Sequence, residues 1–473
     1  MTLADRLSAA PIVASAREAL ADRDDAWIVG GAVRDAALDR AVTDLDLAVG
    51  ADPGAAAKAI ARQGGGNAFE LSAEFETWRA VAADHSWQVD IAALRGVGIE
   101  ADLAERDFTI GAVAVPLAGG DLLDPHDGLA DLDRRLLRAV GEHSFSADPL
   151  RLLRAARLAT ELELEVDPAT TELARREAGR AAEPAGERQL AELRRLIGSR
   201  DPLRGLALLD ELGLTAVVLP ELEALRGVEQ GPNHHLDVHG HTLAVLERTL
   251  EVEADLDRFA GERAVEVQAL LDEPLGDEMS RGTALRFGAL VHDIGKPATR
   301  GERDGYVTFV GHDRDGAEIV GALFARLRAS RRLTRHLQAL TLQHLRLGFL
   351  VHAAPLPPRK VHEYLRATEP VAADVTLLTV ADRLSARGSG PFATEEMIEA
   401  HLTLAREMLA AALDWRRDGP PVPLLRGDEM AAQLGIAEGP EVGELLAELE
   451  AAQYAGEVTT GEEALRLARS LRG

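Results

Sequence analysis

Residues 26–50 show a polar and apolar pattern that predicts a strand, a glycine turn, a short helix and a second strand. The apolar run at 27–29 leads into Gly30-Gly31, and the following VRDAALDR suits one helical passage. At 44–49 every second residue is a leucine or valine, which indicates a half-buried strand.

Further strand patterns occur at 81–83, 88–92 and 109–115, so residues 1–138 are predicted to form a domain with a small mixed sheet. Helical spacing dominates afterwards. The Asp-Pro pairs at 148 and 201 predict helix starts, because Asp caps a helix and Pro suits its first position. RGSGP at 387–391 is typical of a linker. The predicted fold class is α+β, in four parts: 1–138, 139–228, 229–390 and 391–473.

The composition favours a mainly helical protein, because only 4% of the 473 residues are aromatic and strand cores use more. The absence of Cys excludes disulfides and Cys-ligated zinc. No apolar run approaches the length of a membrane span, and the start of the chain does not match a signal peptide. The sequence therefore predicts a cytoplasmic protein with no membrane partner.

The charge is strongly acidic, with a formal net of −27. A general nucleic-acid coat protein would be basic, but a local basic region can still bind RNA. From Arg134 to Arg200 there are 13 arginines against 11 acids, a local net of +2. This segment is therefore the predicted RNA-binding region.

Asp44 and Asp46 are two residues apart on a predicted strand, so both carboxylates point to one face. Oxygen ligands at this spacing suit Mg²⁺, which nucleotidyl transfer requires. Upstream, Gly30-Gly31 can bring backbone N–H groups to a phosphate, and Arg34 can reach the same phosphate. The simpler alternative is an edge strand with a solvated acidic face after a glycine turn.

Further motifs, which follow one another along the chain in the order found in one known family, decide between these interpretations. Together they resemble the tRNA nucleotidyltransferase and poly(A) polymerase family, class II of the polymerase-β-like superfamily. The motifs are GGAVRD with DLD, ERDFTIGAVAV at 105–115, DLLDPHDGLADLDRRLLRAV at 121–140, ADPLRLLRAARL at 147–158 and GERQLAELRRLI at 186–197.

The resemblance implies a polymerase-β-like nucleotidyltransferase head, followed by an all-α neck. It assigns the metals to Asp44 and Asp46 and the base edge to Asp148 and Arg151. The residues that it implies for nucleotide binding are Gly30, Gly31, Arg34, Arg106, Asp148, Arg151, Arg154 and Arg157. Asp90 fits a third carboxylate of this superfamily, or equally a capping or ion-pair role.

Two departures from the family pattern affect the final step. Glu105 and Gly111 replace an Arg and an Asn of the family motif, and only seven residues, 95–101, separate the preceding strand from Asp102. Relatives that complete CCA carry a longer flexible loop there. We expect C to be added far better than the final A, with a separate A-adding enzyme as partner, unless the segment 64–76 supplies the lever.

A second set of motifs, HGHTLAVL, FGALVHDIGKP and LLTVADRLS, resembles the HD phosphohydrolase superfamily. A lone HD dipeptide would more simply be a helix-face His beside a solvated Asp. The implied metal ligands are His241, His292, Asp293 and Asp382, with His312 and His344 for a second metal. Lys296 is placed to contact a phosphate. We expect His234, His235 and His239 to be loop or substrate-side residues, and His336 and His352 to be surface residues.

The resemblances predict an enzyme that adds CMP, either alone or followed by the terminal AMP, to the tRNA 3′ end from CTP and ATP with Mg²⁺ at the head. The HD site would hold a divalent metal of unknown identity and hydrolyse phosphoesters. Two alternatives remain: a poly(A) polymerase, or an HD phosphohydrolase whose head only binds RNA or nucleotide. This acidic chain ends in GEEALRLARSLRG without the basic extension usual in poly(A) polymerases, which argues against the first. The intact Asp44 and Asp46 argue against the second.

Overall fold

A computed structural model describes residues 3–42, 44–72 and 76–472. The chain divides into two units, Met1–Val218 and Leu219–Gly473. The predicted boundary between 228 and 229 falls inside the second unit, and the finer division into four parts stays a prediction. None of the described helices combines the length and apolar composition that crossing a bilayer requires.

The first unit contains a six-stranded sheet with the strand order β3-β4-β5-β2-β1-β6. β2 and β5 run parallel, and the other neighbouring strands are antiparallel, so the predicted mixed sheet is confirmed. The strands are β1 (Ala26–Val29), β2 (Asp44–Val49), β3 (Asn67–Ser72), β4 (Thr77–Val81), β5 (Gln88–Ala93) and β6 (Ala114–Pro116).

Helices cover this sheet and continue into a helical neck. They are α1 (Leu3–Ala9), α2 (Pro11–Ala19), α3 (Gly31–Ala37), α4 (Pro53–Gln63), α5 (Ile99–Ala104), α6 (Gly128–Asp133), α7 (Ser144–Ala147), α8 (Leu150–Glu161), α9 (Pro168–Glu177), α10 (Gly186–Ile197), α11 (Pro202–Glu211) and α12 (Thr215–Val218). A small parallel pair joins β7 (Leu136–Leu137) to β8 (Glu165–Val166).

The alternation in β2 decides which side of the sheet is apolar. Leu45 and Leu47 are buried in a core that α2 and α4 complete. Because neighbouring side chains of a strand point to opposite faces, Asp44 and Asp46 face away from that core. The sheet thus presents its carboxylates on the side that α4 leaves open.

Several predicted elements differ in detail. The expected strand at 109–115 is a helical turn at Thr109–Gly111 followed by β6, because Thr109 N–H bonds the Arg138 carbonyl outside the sheet. β3 was not predicted as a strand, because an exposed edge strand does not need alternating apolar residues. Part of the segment 64–76, residues 73–75, lies outside the described residues.

The second unit is mainly helical, and α14, α17, α20 and α22 pack against one another. Its helices are α13 (Pro220–Glu223), α14 (Val238–Ala254), α15 (Leu256–Ala260), α16 (Ala264–Asp272), α17 (Arg281–Val291), α18 (Lys296–Thr299), α19 (His312–Arg326), α20 (Arg331–Gln343), α21 (Pro358–Thr368), α22 (Ala372–Ser385), α23 (Glu395–Asp418), α24 (Gly427–Leu434), α25 (Pro440–Tyr454) and α26 (Gly461–Arg472). Two hairpins comprise β9 (Pro274–Gly276) with β10 (Met279–Ser280), and β11 (Gly301–Arg303) with β12 (Tyr306–Thr308).

The predicted linker at 387–391 is packed against the loop that precedes α14. The N–H groups of Gly388 and Gly390 donate to the carbonyls of Asn233 and Pro232, each at 2.9 Å. A Cβ on Gly388 would lie 2.2 Å from the Pro232 carbonyl oxygen, so this contact requires glycine. The glycines therefore permit close packing here instead of a free linker.

A buried ion pair joins two helices of the neck. Arg157 on α8 is 1% exposed, and its Nε donates to Glu192 on α10 at 2.5 Å. Its Nη1 donates to Glu161 at 2.6 Å. The expected nucleotide-binding role of Arg157 does not fit this position, because its guanidinium is directed into the contact between α8 and α10.

Replacing Glu192 with Ala should lower the free energy of unfolding by about 3 kcal/mol, because it leaves much of the Arg157 charge buried without its partner. The control is Glu172→Ala, which removes an exposed partner of Arg175 and should cost less than about 1 kcal/mol. Denaturant unfolding of both variants measures the difference. Equal losses would show that the buried pair is worth no more than the surface pair.

Candidate active sites

Most residues expected at the head's active site line one cavity in the first unit. Its volume is about 360 Å³, and its walls come from the sheet, the start of α3, the α5–β6 segment and α8. The predicted residues on its walls are Gly30, Gly31, Arg34, Asp46, Arg106, Asp148, Arg151 and Arg154. Asp44 and Arg157 do not line it.

A carboxylate packed against glycine backbone forms the acidic side of the cavity. Oδ2 of Asp46 accepts a hydrogen bond from the Gly31 N–H at 3.0 Å. A Cβ on Gly30 would lie 2.9 Å from that oxygen, and Gly30 has a φ of +63°, so the turn requires glycine. Burial raises the pKa of Asp46, and the charge of Asp90 raises it further.

Asp90 lies directly opposite Asp46 in the parallel register of β2 and β5, and it lines the same cavity. Its two carboxylate oxygens accept from Arg79, each at 2.7 Å. The position of Asp90 is compatible with a third catalytic carboxylate. Its contact with Arg79 is the ion-pair role that the sequence left as the alternative. Asp44 is exposed at the first position of β2, on the strand face of Asp46.

Arginines form the opposite wall, and buried acids hold two of them in place. Arg106 donates twice to Asp102, at 3.0 and 2.7 Å, and Arg154 donates to Asp107 at 2.5 Å. Burial alone would raise the pKa of Asp107, but the charge and hydrogen bond of Arg154 together with the hydrogen bond from the Phe108 N–H lower it below its usual value. Asp107 in turn raises the pKa of Arg154, so this guanidinium stays charged.

The two residues expected to read the base already have partners in this structure. The Asp148 carboxylate accepts from Arg188 at 2.8 Å and from the Leu150 N–H at 3.1 Å. Arg151 donates to the backbone carbonyls of Glu105 at 2.7 Å and of Ser144 at 3.1 Å. Asp148 and Arg151 are therefore held at the cavity by contacts that an incoming base would have to share or replace.

The cavity combines carboxylates on one side with guanidinium groups on the other. The donor set on the acidic side is oxygen alone, and Asp46 is a partly buried carboxylate beside Asp90, a like charge that a divalent cation would neutralise. These residues therefore fit Mg²⁺. The arginine wall fits the phosphates of a nucleotide.

Sequence reasoning missed three residues that shape this cavity: Asp102, Asp107 and Arg188. Asp102 and Asp107 stand beside or within the ERDFTIG motif, and Arg188 stands within GERQLAELRRLI. The motifs marked the right segments. The pairs of Asp107 with Arg154 and of Asp148 with Arg188 were invisible because their members are 47 and 40 positions apart in the chain. Asp102 and Arg106 are only four positions apart, a spacing that could have indicated their pairing.

The predicted HD residues come together in the second unit as two groups of three. In each group the ligand atoms lie within 4.8 Å of one another. One group is His241, His292 and Asp382, and the other is Asp293, His312 and His344. Asp293 also lies 3.1 Å from His292 Nε2, so its carboxylate connects the two groups.

Backbone contacts fix the tautomers of three of these histidines. Nδ1 of His292, His312 and His344 lies 2.8, 2.7 and 2.6 Å from the carbonyl oxygen three residues earlier. Nδ1 must donate there, so the neutral ring presents an unprotonated Nε2. The buried Nε2 of His292 has no hydrogen-bond partner. Both observations fit a site for divalent metal.

Lys296 lies at the centre of this site. Its Nζ is 2.6 Å from Asp293 and donates to Gln230 at 2.6 Å. Burial alone would raise the pKa of Asp293, but neighbouring positive charge, including that of Lys296, and hydrogen bonds lower it well below its usual range. The predicted phosphate contact of Lys296 stays a prediction.

The remaining histidines divide into two kinds. His234 stacks edge-on against His241, with ring centres 4.6 Å apart, and burial lowers the pKa of His234 to about 3. His239 is buried and His235 is exposed. The surface prediction is confirmed for His352 but wrong for His336, which is buried 3.6 Å from Asp374 because α20 turns that face into the core.

Three family models match the chain in sequence order. They are the poly A polymerase head domain at residues 26–138, the probable RNA and SrmB-binding site of polymerase A at 163–225, and the HD domain at 238–387. The head-domain match includes the residues that line the cavity described above, except those from Asp148 through α8 and Arg188. The third spans all six clustered metal-ligand candidates.

Solved structures share this fold. A CCA-adding enzyme in complex with ATP aligns with a TM-score of 0.66 and 19% identity, over 100% of this chain and 99% of its own. A Thermotoga maritima CCA-adding enzyme in complex with tRNA aligns with a TM-score of 0.61 and 18% identity, over 100% and 99%. At this identity the likeness establishes the fold.

Curated relatives are more similar in sequence. A CC-adding tRNA nucleotidyltransferase of Thermus thermophilus is 35% identical, over 93% of this chain and 92% of its own. An A-adding tRNA nucleotidyltransferase of Deinococcus radiodurans is 37% identical, over 93% and 94%. With this identity across nearly the full length of both proteins, the chain belongs to the tRNA nucleotidyltransferase family.

Proposed function

We propose that the first unit transfers CMP from CTP to the 3′ end of tRNA. The observation that carries the proposal is one cavity that holds the carboxylates Asp46 and Asp90 opposite the selector pair Asp148 and Arg151. The relatives named above as CC-adding and A-adding enzymes support the substrate class. A poly(A) polymerase would need a cavity that favours A alone, and nothing in these walls excludes C.

The reaction joins the 3′-hydroxyl of the acceptor to the α-phosphate of the nucleotide, and pyrophosphate leaves. Mg²⁺ held by Asp44 and Asp46 would supply charge neutralisation for the attacking and leaving oxygens. The chain itself orients the nucleotide. Arg34, Arg106 and Arg154 offer guanidinium groups to the triphosphate.

Base selection follows from the hydrogen-bonding groups of Asp148 and Arg151. The carboxylate can accept from the exocyclic amine of C or A, and the guanidinium can donate to a ring nitrogen or carbonyl. Uracil and guanine would leave hydrogen-bonding groups unpaired against Asp148 and Arg151. The pair therefore favours C and A together, and the wall around it must decide between them.

The short segment after β5 supports preference for C. Only residues 94–98 connect β5 to α5, because 99–101 already form the first turn of that helix. The Arg95 N–H donates to the buried Asp102 carboxylate at 3.1 Å, which anchors the connection. A short, anchored connection has little reach to reposition the selector helix α8.

Asp46→Asn should lower CMP addition by about 100-fold or more, on the scale of losing one group that stabilises charge in the transition state. Burial raises the pKa of Asp46 above its unfolded value, so its ionised form costs folding stability at neutral pH. The variant should therefore melt no lower than the wild-type protein in EDTA at pH 7. Any gain in melting temperature over the wild-type protein should disappear as the pH falls below the pKa of Asp46.

Asp44→Asn is the matched comparison, because Asp44 is exposed on the same strand face. It should lose CMP addition without the gain in melting temperature. Wild-type CMP addition by either variant would contradict the metal assignment of that residue.

Given acceptors that end before CCA or in CC, with CTP and ATP present, the enzyme should add CC to the first and leave the second largely unextended. A product that stops at CC would imply a separate A-adding enzyme as partner. Gel analysis of labelled products measures both steps. Efficient A addition to the CC-ending acceptor would refute the argument from the short connection.

We further propose that the second unit hydrolyses phosphoesters with divalent metal held by the two groups of His and Asp ligands. His292→Ala with Asp293→Ala should abolish hydrolysis of bis-p-nitrophenyl phosphate assayed with Mg²⁺, Mn²⁺ or Ni²⁺, because it removes a ligand of each group. CMP addition should stay within about twofold, because both substituted residues belong to the second unit and neither lines the cavity of the first.

His352→Ala is the control, because this exposed histidine belongs to neither group. It should leave both activities unchanged. If the double variant stayed folded by circular dichroism yet lost CMP addition, the two activities would not be separable. Hydrolysis that persists in the double variant would show that these ligands do not carry it.

A further inference from the structure

The most basic part of this acidic chain lies in the second unit. Between Glu318 and Glu363 there is no Asp or Glu, whereas 79 of the 473 residues are acidic overall. The same stretch contains seven arginines and one lysine. Five of these arginines crowd the connection from α19 to α20, and we call them the arginine turn: Arg326, Arg328, Arg331, Arg332 and Arg335, all exposed.

The second half of this turn carries charge without counter-charge. No ion pair in the described part of the chain includes Arg331, Arg332 or Arg335. The acids nearby are engaged elsewhere: Glu221 accepts from Arg326 at 2.9 and 2.8 Å, and Asp277 accepts from the Ser330 N–H at 3.1 and 3.0 Å.

The neck arginines that were expected to bind tRNA differ in this respect. Arg195 donates twice to Glu161, each at 3.0 Å. Arg180 pairs with Glu183, and Arg188 with Asp148. An approaching phosphate would have to displace an acid at each of these positions, but not at Arg331, Arg332 or Arg335.

The three arginines also stand where local helix stability opposes them. Arg331 and Arg332 open α20 directly after the N-cap Ser330, at the positive end of the helix dipole. Arg331 and Arg335 are four residues apart, so like charges are neighbours on one face. Such a cluster without compensation indicates selection for something other than folding.

The arginine turn is separate from the metal ligands of its own unit. His312 opens α19 and His344 follows the end of α20, so both lie at the opposite end of this helix pair. The 15 residues of α19 span about 22 Å. The turn therefore extends the surface of the unit far from the HD site.

We propose that the arginine turn binds the phosphate backbone of the tRNA body, an inference that rests on the proposed nucleotidyl transfer to tRNA. Guanidinium groups match phosphate oxygens in pairs, which favours a nucleic-acid backbone. No large apolar side chain between Val310 and Leu342 is strongly exposed, so the surface lacks the anchors of a protein or membrane interface. Binding at the arginine turn would depend on the charge and shape of the tRNA backbone and not on its nucleotide sequence.

The test compares two triple variants of the full chain. R331E/R332E/R335E reverses the unpaired arginines, and R466E/R469E/R472E makes the same change in net charge on α26. Binding of a tRNA transcript without CCA is measured from 50 to 200 mM salt. The slope of log K against log salt should flatten by about three in the first variant, at about 0.9 per phosphate contact, and stay unchanged in the second.

Stability and activity readouts separate this inference from its alternatives. Placing Glu at the start of α20 suits the helix dipole, so the first variant should melt no lower than wild type. An unchanged salt slope, or an equal loss in both variants, would overturn the inference. If the wild-type protein bound tRNA through the turn but added no nucleotide, the proposed function would fail while the binding surface stood.

Discussion

The partly buried position of the Asp46 carboxylate, against the glycine turn and beside Asp90, is the constraint on which the head depends. The glycine turn after β1 lets the backbone approach this carboxylate, and the parallel pairing of β2 with β5 sets Asp90 beside it. Two acids so close in a partly dry setting are unfavourable by themselves. The opposite wall carries the positive charges of Arg106 and Arg154, which are held by Asp102 and Asp107 respectively. The walls of the cavity thus consist of opposite charges, in which Asp102 positions Arg106 and Asp107 positions Arg154.

Much of this arrangement could be read from the sequence where the signal is local. The alternation in β2 and the Gly-Gly pair gave the strand, the turn and the shared face of Asp44 and Asp46, and the HD motifs marked all six clustered ligands. Arg157 shows the limit. The resemblance implied that Arg157 binds the nucleotide, but the packing of α10 against α8 buries its guanidinium beside Glu192.

Long-range ion pairs and edge strands account for the other differences. Nothing near Asp148 indicates that Arg188 is its partner, and nothing near His336 indicates that Asp374 lies beside it. β3 has no alternating apolar residues because one of its edges and part of its surface face solvent. Such features depend on which elements meet, which local periodicity does not specify.

The segment 387–391, which follows α22, packs on the loop that precedes α14. This contact joins the end of α22 to the start of α14. His241 follows that loop within a few residues, and Asp382 precedes the segment by about as many. Two candidate metal ligands that are 141 residues apart in the sequence therefore lie on segments that are joined by backbone hydrogen bonds from Gly388 to Asn233 and from Gly390 to Pro232. A stretch whose composition suggests a suitable place for a tag or an inserted domain instead holds these two segments together. Extra residues inserted here would break these hydrogen bonds and disturb the spacing of the two candidate ligands.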